Sequence, residues 1–353
     1  MPPRTSRRPS MADVARRADV STQTVSRYFS GHGYVSEETR ARISRIVEDL
    51  GYVRNRAAGS LRANRTGTIG VLNVGELNWG SAQILSGLAA AARRAGSALM
   101  IAEIDPDQGP EAWREDARAA IDHFLAAPVD GIIVSTAMKG SEEVFAVARE
   151  RVPVVNLSAR QRSANPSEAL PSSVGYDATR HLLELGHHRI AHLVGPRTRS
   201  EALDREAGYL RAMAEAGLEP QVLEGADSWW APAGAAAADR LAEIDFTAVF
   251  AGNDELALGL MSRLEERGLR APHDYSIVGV DDMPTAAYFS PPLTTVAIDF
   301  PRIGELAVEA ALQAIETGEH HPIPTTRQPL VVRASTAPLR SGQPVVQTAS
   351  TPS

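Results

Sequence analysis

From Thr68 onward the chain alternates short apolar runs with segments of helical length, and this rhythm admits few folds. Ile69-Gly70-Val71-Leu72-Asn73-Val74 reads as a buried strand. The pattern predicts a helix from about Ser81 to Ala95, a strand from Ala98 to Ile104 and a helix from Glu111 to Ala126. A strand from Gly131 to Val134, a helix from Glu142 to Glu150 and a strand from Val152 to Leu157 follow. A Ser/Pro/Asn-rich stretch at 158–173 interrupts the rhythm. It resumes through Arg189–Val194, Leu203–Ala216, Ala248–Ala251, Glu255–Arg267 and Ser276–Val280. Strands separated by helices of this length form parallel sheets with helices on both faces. One core would be too large for about 270 residues, so two lobes are expected.

The first sixty residues have a different character. Ser10-Met11-Ala12-Asp13 matches a capping box, and Met11, Val14, Ala15 and Ala18 recur at helical spacing. A short helix from Met11 to about Ala18 is therefore predicted, broken by Asp19-Val20-Ser21. Ser21 can cap a second helix, Thr22 to about Phe29, and Ser30-Gly31-His32-Gly33 can end it with a left-handed glycine. Ser36 can cap a third, with Ile43, Ile46, Val47 and Leu50 as its apolar stripe and Gly51 as its stop. Two short helices joined by a three-residue turn, with a third to pack them, form a helix-turn-helix. At roughly 100° per residue, Gln23 and Arg27 share one face of the second helix while Val25 points away, with Phe29 below it. Gln suits the N6/N7 edge of adenine and Arg suits O6/N7 of guanine, while Thr22 can reach a base or a phosphate. Taken by residue type alone, these read more readily as surface residues of any small bundle.

Charge separates the same two regions. The net charge is −7, yet residues 1–65 hold thirteen Arg against six acidic residues. The remainder is strongly acidic. A short basic segment ahead of a long acidic one suits a polyanionic partner. An arginine-biased composition, with Lys139 as the sole lysine, explains which cation is used but not where cations gather. The chain has no cysteine, which removes disulfides, thiol catalysis and cysteine-bound zinc. No run of about 18 apolar residues offers a membrane span. The N-terminus lacks the apolar stretch of a secretory signal, so a cytoplasmic location is expected.

The string Ala12-Asp13-Val14-Ala15-x-x-Ala18-x-Val20-Ser21-x-x-Thr24-Val25-Ser26-Arg27 resembles the start of the lactose-repressor (LacI/GalR) family of bacterial regulators. Further matches are Ala178-Thr179-Arg180-His181-Leu182-Leu183-Glu184-Leu185-Gly186-His187, Gly252-Asn253-Asp254 and Pro291-Pro292-Leu293-Thr294-Thr295-Val296. The resemblance spans about residues 10–340. It implies a small all-α helix-turn-helix DNA-binding domain followed by a two-lobed, periplasmic-binding-protein-like α/β sensor that the chain crosses three times. The expected division is 1–52 for DNA binding, 53–66 for a hinge, 67–340 for effector binding and dimerisation, and 341–353 for a disordered tail. The resemblance places base reading on Thr22, Gln23 and Arg27, with Ser21 and Ser26 on phosphates or as caps. Tyr52 to Arg62 looks like the family's hinge. Asn55 would cap a short helix there, and Leu61 would wedge into the minor groove, trading unstacking for a bend. Leu61 packing on the sensor is the alternative. Gly59 departs from the bulkier residue expected and weakens that helix.

Ligands of such folds sit in the cleft where strand C-termini meet. Arg205, Asn253 and Asp281 match effector-holding positions of the family, and together they can satisfy a ring of sugar hydroxyls. The Trp229-Trp230 pair adds a flat face for a pyranose, with Trp229 favoured and core packing as the alternative for either ring. Asn78, Trp79, Asn156 and Phe300 are expected to line the cleft as well. Ile298 stands where the family often has a polar residue. His187, His188 and His192 do not share one helix face, so metal binding is not expected. His187 is read as a cation-capable ring at a helix C-terminus. Phosphate-loop and nucleophile-elbow motifs are absent, so neither an enzyme nor a bound cofactor is expected.

The sequence thus predicts a homodimeric, allosteric repressor on near-palindromic duplex DNA. Its effector is expected to be a sugar, a β-glycoside being one candidate, with a nucleobase or a phosphorylated sugar as alternatives. The tail from Ser341 lacks the leucine heptads with which some members tetramerise. The alternative is a solute-binding protein without DNA function, against which the basic first 65 residues argue.

Overall fold

The computed structural model describes residues 9–31, 33–52, 65–105, 108–135, 141–157, 173–223, 226–241, 244–319, 323–324 and 328–340. The chain divides into two compact units, Met1–Thr66 and Gly67–Ser353.

Among its described residues the first unit holds three helices, α1 (Met11–Arg17), α2 (Thr22–Ser30) and α3 (Glu37–Leu50). Each begins at the serine expected. Ser10 and Asp13 form the reciprocal capping box, with Ser10 N–H donating to Asp13 Oδ2 at 2.9 Å and Asp13 N–H to Ser10 Oγ at 3.3 Å. Ser21 Oγ accepts from Thr24 N–H and Ser36 Oγ from Thr39 N–H. The turn between α1 and α2 places Asp19 at φ +50°, and Gly31 at φ +70° closes α2. Val14, Ala15, Ala18, Val25, Ile43 and Tyr52 form the buried core, with Phe29 packed against it.

The second unit holds two sheets. The first contains β1 (Thr68–Val74), β2 (Ala98–Ile104), β3 (Gly131–Val134) and β4 (Val154–Asn156) in the order β2-β1-β3-β4, all parallel. Around it lie α4 (Trp79–Arg94), α5 (Pro110–Ala126) and α6 (Ser141–Arg149). The chain then enters α7 (Val174–Glu184) and the second sheet. That sheet runs β10-β9-β8-β7-β5-β6. Its strands are β5 (Ile190–Leu193), β6 (Gln221–Leu223), β7 (Ala248–Ala251), β8 (Ser276–Asp281), β9 (Thr294–Ala297) and β10 (Leu330–Val331). Only the β10–β9 pairing is antiparallel. Its helices are α8 (Ser200–Glu215), α9 (Ala231–Leu241) and α10 (Asp254–Glu266). α11 (Phe300–Thr317) follows β9 yet packs on α4, β3 and β4 of the first lobe, and β10 returns to the second. The chain therefore passes between the lobes three times. Each sheet has an apolar cluster on either face, which explains why the inner strands β1, β3 and β7 are mostly apolar and buried, whereas edge strand β2 is largely exposed or half-buried.

Differences from the predicted elements have local causes. α4 begins at Trp79 rather than Ser81 because Asn78 Oδ1 accepts from Ser81 N–H at 2.9 Å. α8 begins at Ser200 rather than Leu203, and β4 is three residues rather than six. β6, α9, β9, β10 and α11 were not predicted as elements. β6 and β10 are too short for a pattern, and the run Ala231-Pro-Ala-Gly-Ala-Ala-Ala-Ala at the head of α9 has no amphipathic contrast.

His187 corrects one reading. It is not a solvated cation at a helix end. It is buried, with its ring nitrogens against Thr247 Oγ1 at 3.1 Å and the Ala337 carbonyl at 3.0 Å, and burial lowers its pKa.

Candidate DNA-reading and effector sites

On α2 the side chains sort by face. Val25 is fully buried, whereas Thr22, Gln23 and Arg27 are exposed and Ser26 is half-buried. Ser21 is exposed, with its hydroxyl spent on the cap and on Thr24 Oγ1. A helix held from behind by Val25 thus presents an amide and a guanidinium four residues apart, one turn of the same face. Asn55 and Leu61 lie outside the described residues.

The second unit gathers the expected effector residues into two groups. In the second lobe, Arg205 in the second turn of α8 reaches the ends of β7 and β8. It donates to the Gly252 carbonyl, and its Nη2 lies 3.3 Å from Asp281 Oδ1. Its guanidinium stands 5.1 Å over the Trp229 ring. Asn253 caps α10, with Oδ1 accepting from Leu256 N–H at 2.8 Å and Nδ2 donating to the Trp229 carbonyl at 3.1 Å. Both ends of its amide are therefore tied to the scaffold. Trp229 is 7% exposed and packs in the lobe's core against Gly195, so little of its ring is open to a ligand.

Asp281 ends β8 at φ +113°, a backbone that non-glycine residues adopt only where the surroundings enforce it. Burial pushes its carboxyl up to about 7, with Arg205 pulling the other way. Asp254, buried one residue after Asn253, is raised by burial and then by Asp281. It accepts from Thr295 Oγ1 at 2.6 Å and Met283 N–H at 2.9 Å. The two buried carboxyls are satisfied differently: Asp254 by Thr295 and Met283, Asp281 by Arg205.

In the first lobe, Asn78 and Trp79 are half-buried at the start of α4, and the Phe300 ring lies directly over Gly80. Asn156 ends β4, beside Val134 of β3. Sequence reasoning missed Arg199, which caps the path into α8 and donates to the Val74 carbonyl of the first lobe at 3.3 Å. It also missed Glu76, which accepts from Trp230 Nε1 at 2.8 Å. Neither belongs to a periodic pattern. The available signal was position alone, since Glu76 lies in the loop after β1 and Arg199 at the N-cap position of α8.

Comparison with known proteins bears on the fold and the family. A profile described as "Bacterial regulatory proteins, lacI family" matches residues 10–55, and one described as "Periplasmic binding protein-like domain" matches 179–336. The chain is 34% identical to the HTH-type transcriptional repressor PurR of Vibrio atlanticus (strain LGP32), covering 93% of this chain and 98% of that one. It is 32% identical to the HTH-type transcriptional regulator AscG of Escherichia coli (strain K12), with 92% and 98% covered. Among solved structures, the lac repressor dimer bound to operator and the anti-inducer ONPF superimposes with a TM-score of 0.81 at 29% identity, covering 94% of this chain and all of that one. A complex of the transcriptional regulator CelR with cellobiose gives 0.63 at 27%, with 93% and 100% covered. Those relatives are transcriptional regulators, not enzymes. The helix-turn-helix ahead of a two-lobed binding fold, and likeness over nearly the whole length, establish that this chain is a DNA-binding transcriptional repressor of the lacI family.

Proposed function

We propose that the protein binds a near-palindromic operator as a homodimer, with Gln23, Arg27 and Thr22 on base edges and Ser21 and Ser26 near phosphates. The observation that carries this is the exposure of Gln23 and Arg27 on the face opposite the fully buried Val25. Two-fold pairing follows from the few bases one such helix reads. The hinge role of Asn55 and Leu61 rests on the family resemblance. Leu61→Ala should weaken specific binding far more than nonspecific binding, and equal loss on both would remove the wedge.

The effector in this reading is a sugar, with a β-glycoside favoured. The Arg205–Asp281 pair beside Trp229 and Asn253 supports it, and Asn78, Trp79, Asn156 and Phe300 supply the facing wall. The cellobiose complex of a relative points the same way. Ligand acts on DNA only through different affinities for the free and DNA-bound arrangements of the lobes. Thermal-shift titration with cellobiose and aromatic β-glucosides, repeated with operator present, tests this. Stabilisation by nucleobases or phosphorylated sugars instead would replace the sugar reading and leave the DNA reading standing.

A further inference from the structure

The two lobes touch through side chains that the effector reading does not use. Trp230 Nε1 donates to Glu76 Oε2 at 2.8 Å, joining the segment before α9 to the loop after β1. Beside it, Arg199 Nη1 donates to the Val74 carbonyl at 3.3 Å. The Arg199 guanidinium lies flat against Gly75, leaving no room for a side chain there. Gly75 also holds φ +83°, so glycine is required twice over.

Every partner in this group is fixed to its own lobe. Gly75 N–H donates to Ile104 O at 2.7 Å, and its carbonyl accepts from Asn73 Nδ2 at 2.6 Å. The Glu76 carbonyl accepts from Asn78 N–H at 2.9 Å. On the other side, Arg199 N–H donates to Pro196 O, Trp230 N–H to Ser228 Oγ, and the Trp230 carbonyl accepts from Ala233 N–H. Hydrogen bonds between two rigid mounts are met in one relative placement of the lobes and broken in others.

We propose that Trp230, Glu76 and Arg199 form a clasp that holds the two lobes in one relative placement across the cleft. The indole N–H is the element that makes the clasp directional, because tryptophan donates and cannot accept while Glu76 only accepts. Arg199 seals the inner side by covering Gly75.

The test is a distance measurement on the full-length protein without ligand. The native chain has no cysteine, so spin labels at Leu77→Cys and Asp227→Cys, both exposed, report across the cleft mouth without background. Labelled subunits are diluted with unlabelled ones, and distances are read by double electron–electron resonance. The parent should give one short population. Trp230→Phe, which keeps the ring and removes the donor, and Glu76→Ala should each add a longer population. Glu76→Gln keeps a carbonyl acceptor and should stay near the parent. Arg199→Ala should open the cleft further. If it does not fold, the Trp230 and Glu76 variants decide. Unchanged distances in Trp230→Phe and Glu76→Ala, or equal opening in Glu76→Gln and Glu76→Ala, overturn the clasp. No sugar or operator enters the measurement, so its outcome is independent of the effector reading.

Discussion

Asp281 and His192 lie in the same lobe, and burial moves their pKa values in opposite directions. Burial of Asp281 raises its carboxyl to about 7 in the folded state. It is then protonated where the unfolded chain, at about 4, is ionised. Its contribution to stability is present below the unfolded value and is lost as pH rises toward 7. Burial of His192 lowers its pKa to about 4; its Nδ1–H donates to the Phe250 carbonyl at 3.0 Å and its ring stacks on Phe250 at 4.4 Å. Its contribution is present above about 6.5 and is lost as pH falls to 4. The two slopes, each about 1.4 kcal/mol per pH unit at most, oppose one another over the same window. Asp281→Asn should therefore make the protein lose stability more steeply on acidification, and His192→Phe should do the reverse. Denaturant melts from pH 4.5 to 7.5 check both; parallel curves for all three proteins would remove the assignment. On α2, Gln23→Ala and Arg27→Ala should each cost about 1–3 kcal/mol at one base position. Binding-site selection from random duplexes reads this as loss of preference at that position alone.

Helix pairs of the second unit share a device. α4 with α11, α7 with α8, and α9 with α10 each bring glycines against the partner's backbone: Gly87 on Pro301 and Gly304 on Ile84, Gly175 on Arg205, and Gly234 on Leu256 with Gly259 on Ala231. The approach explains why glycines stand in helix interiors at a propensity cost of about 1 kcal/mol each. Alanine should normally improve such positions. Here Gly304→Ala would press a methyl into the Ile84 carbonyl, and a loss of about 1–3 kcal/mol is expected instead. Thermal unfolding decides the sign. The α4–α11 pair matters most because α11 arrives by a crossover from the other lobe and fastens it to the first.

At the scale of the molecule, two units carry opposite charge and separate cores. The first has a small core around Val25 and Ile43. Ile43→Ala should cost about 2–5 kcal/mol, enough to unfold a domain of that size. DNA binding should then vanish while the main melting transition of the second unit stays in place. Loss of both together in calorimetry would show one cooperative body instead of two. The basic first 65 residues also predict that operator affinity falls steeply as salt rises.

Most of the helix-turn-helix could be read from the chain because its signals are local. A serine cap, an acidic residue three positions on, a glycine stop and an apolar stripe act within about one or two helical turns. The inner parallel strands were equally readable, since burial on both faces leaves a nearly continuous apolar run. Short β6 and β10 and the alanine-rich α9 gave no such contrast. Trp229 and Asn253 were found by position, but their burial and their ties to the scaffold were not foreseeable, nor was the neutral environment of His187.

Local pattern along the chain was enough to set the three N-terminal helices with their caps, the central parallel strands and the polar face of α2, because each needs only near neighbours. Which distant residues meet was settled by folding. Arg205 reaches Asp281 across 76 positions, Arg199 reaches Val74 across 125 and Trp230 reaches Glu76 across 154. Those meetings depend on strand order and three crossings between lobes, and no short-range preference encodes them.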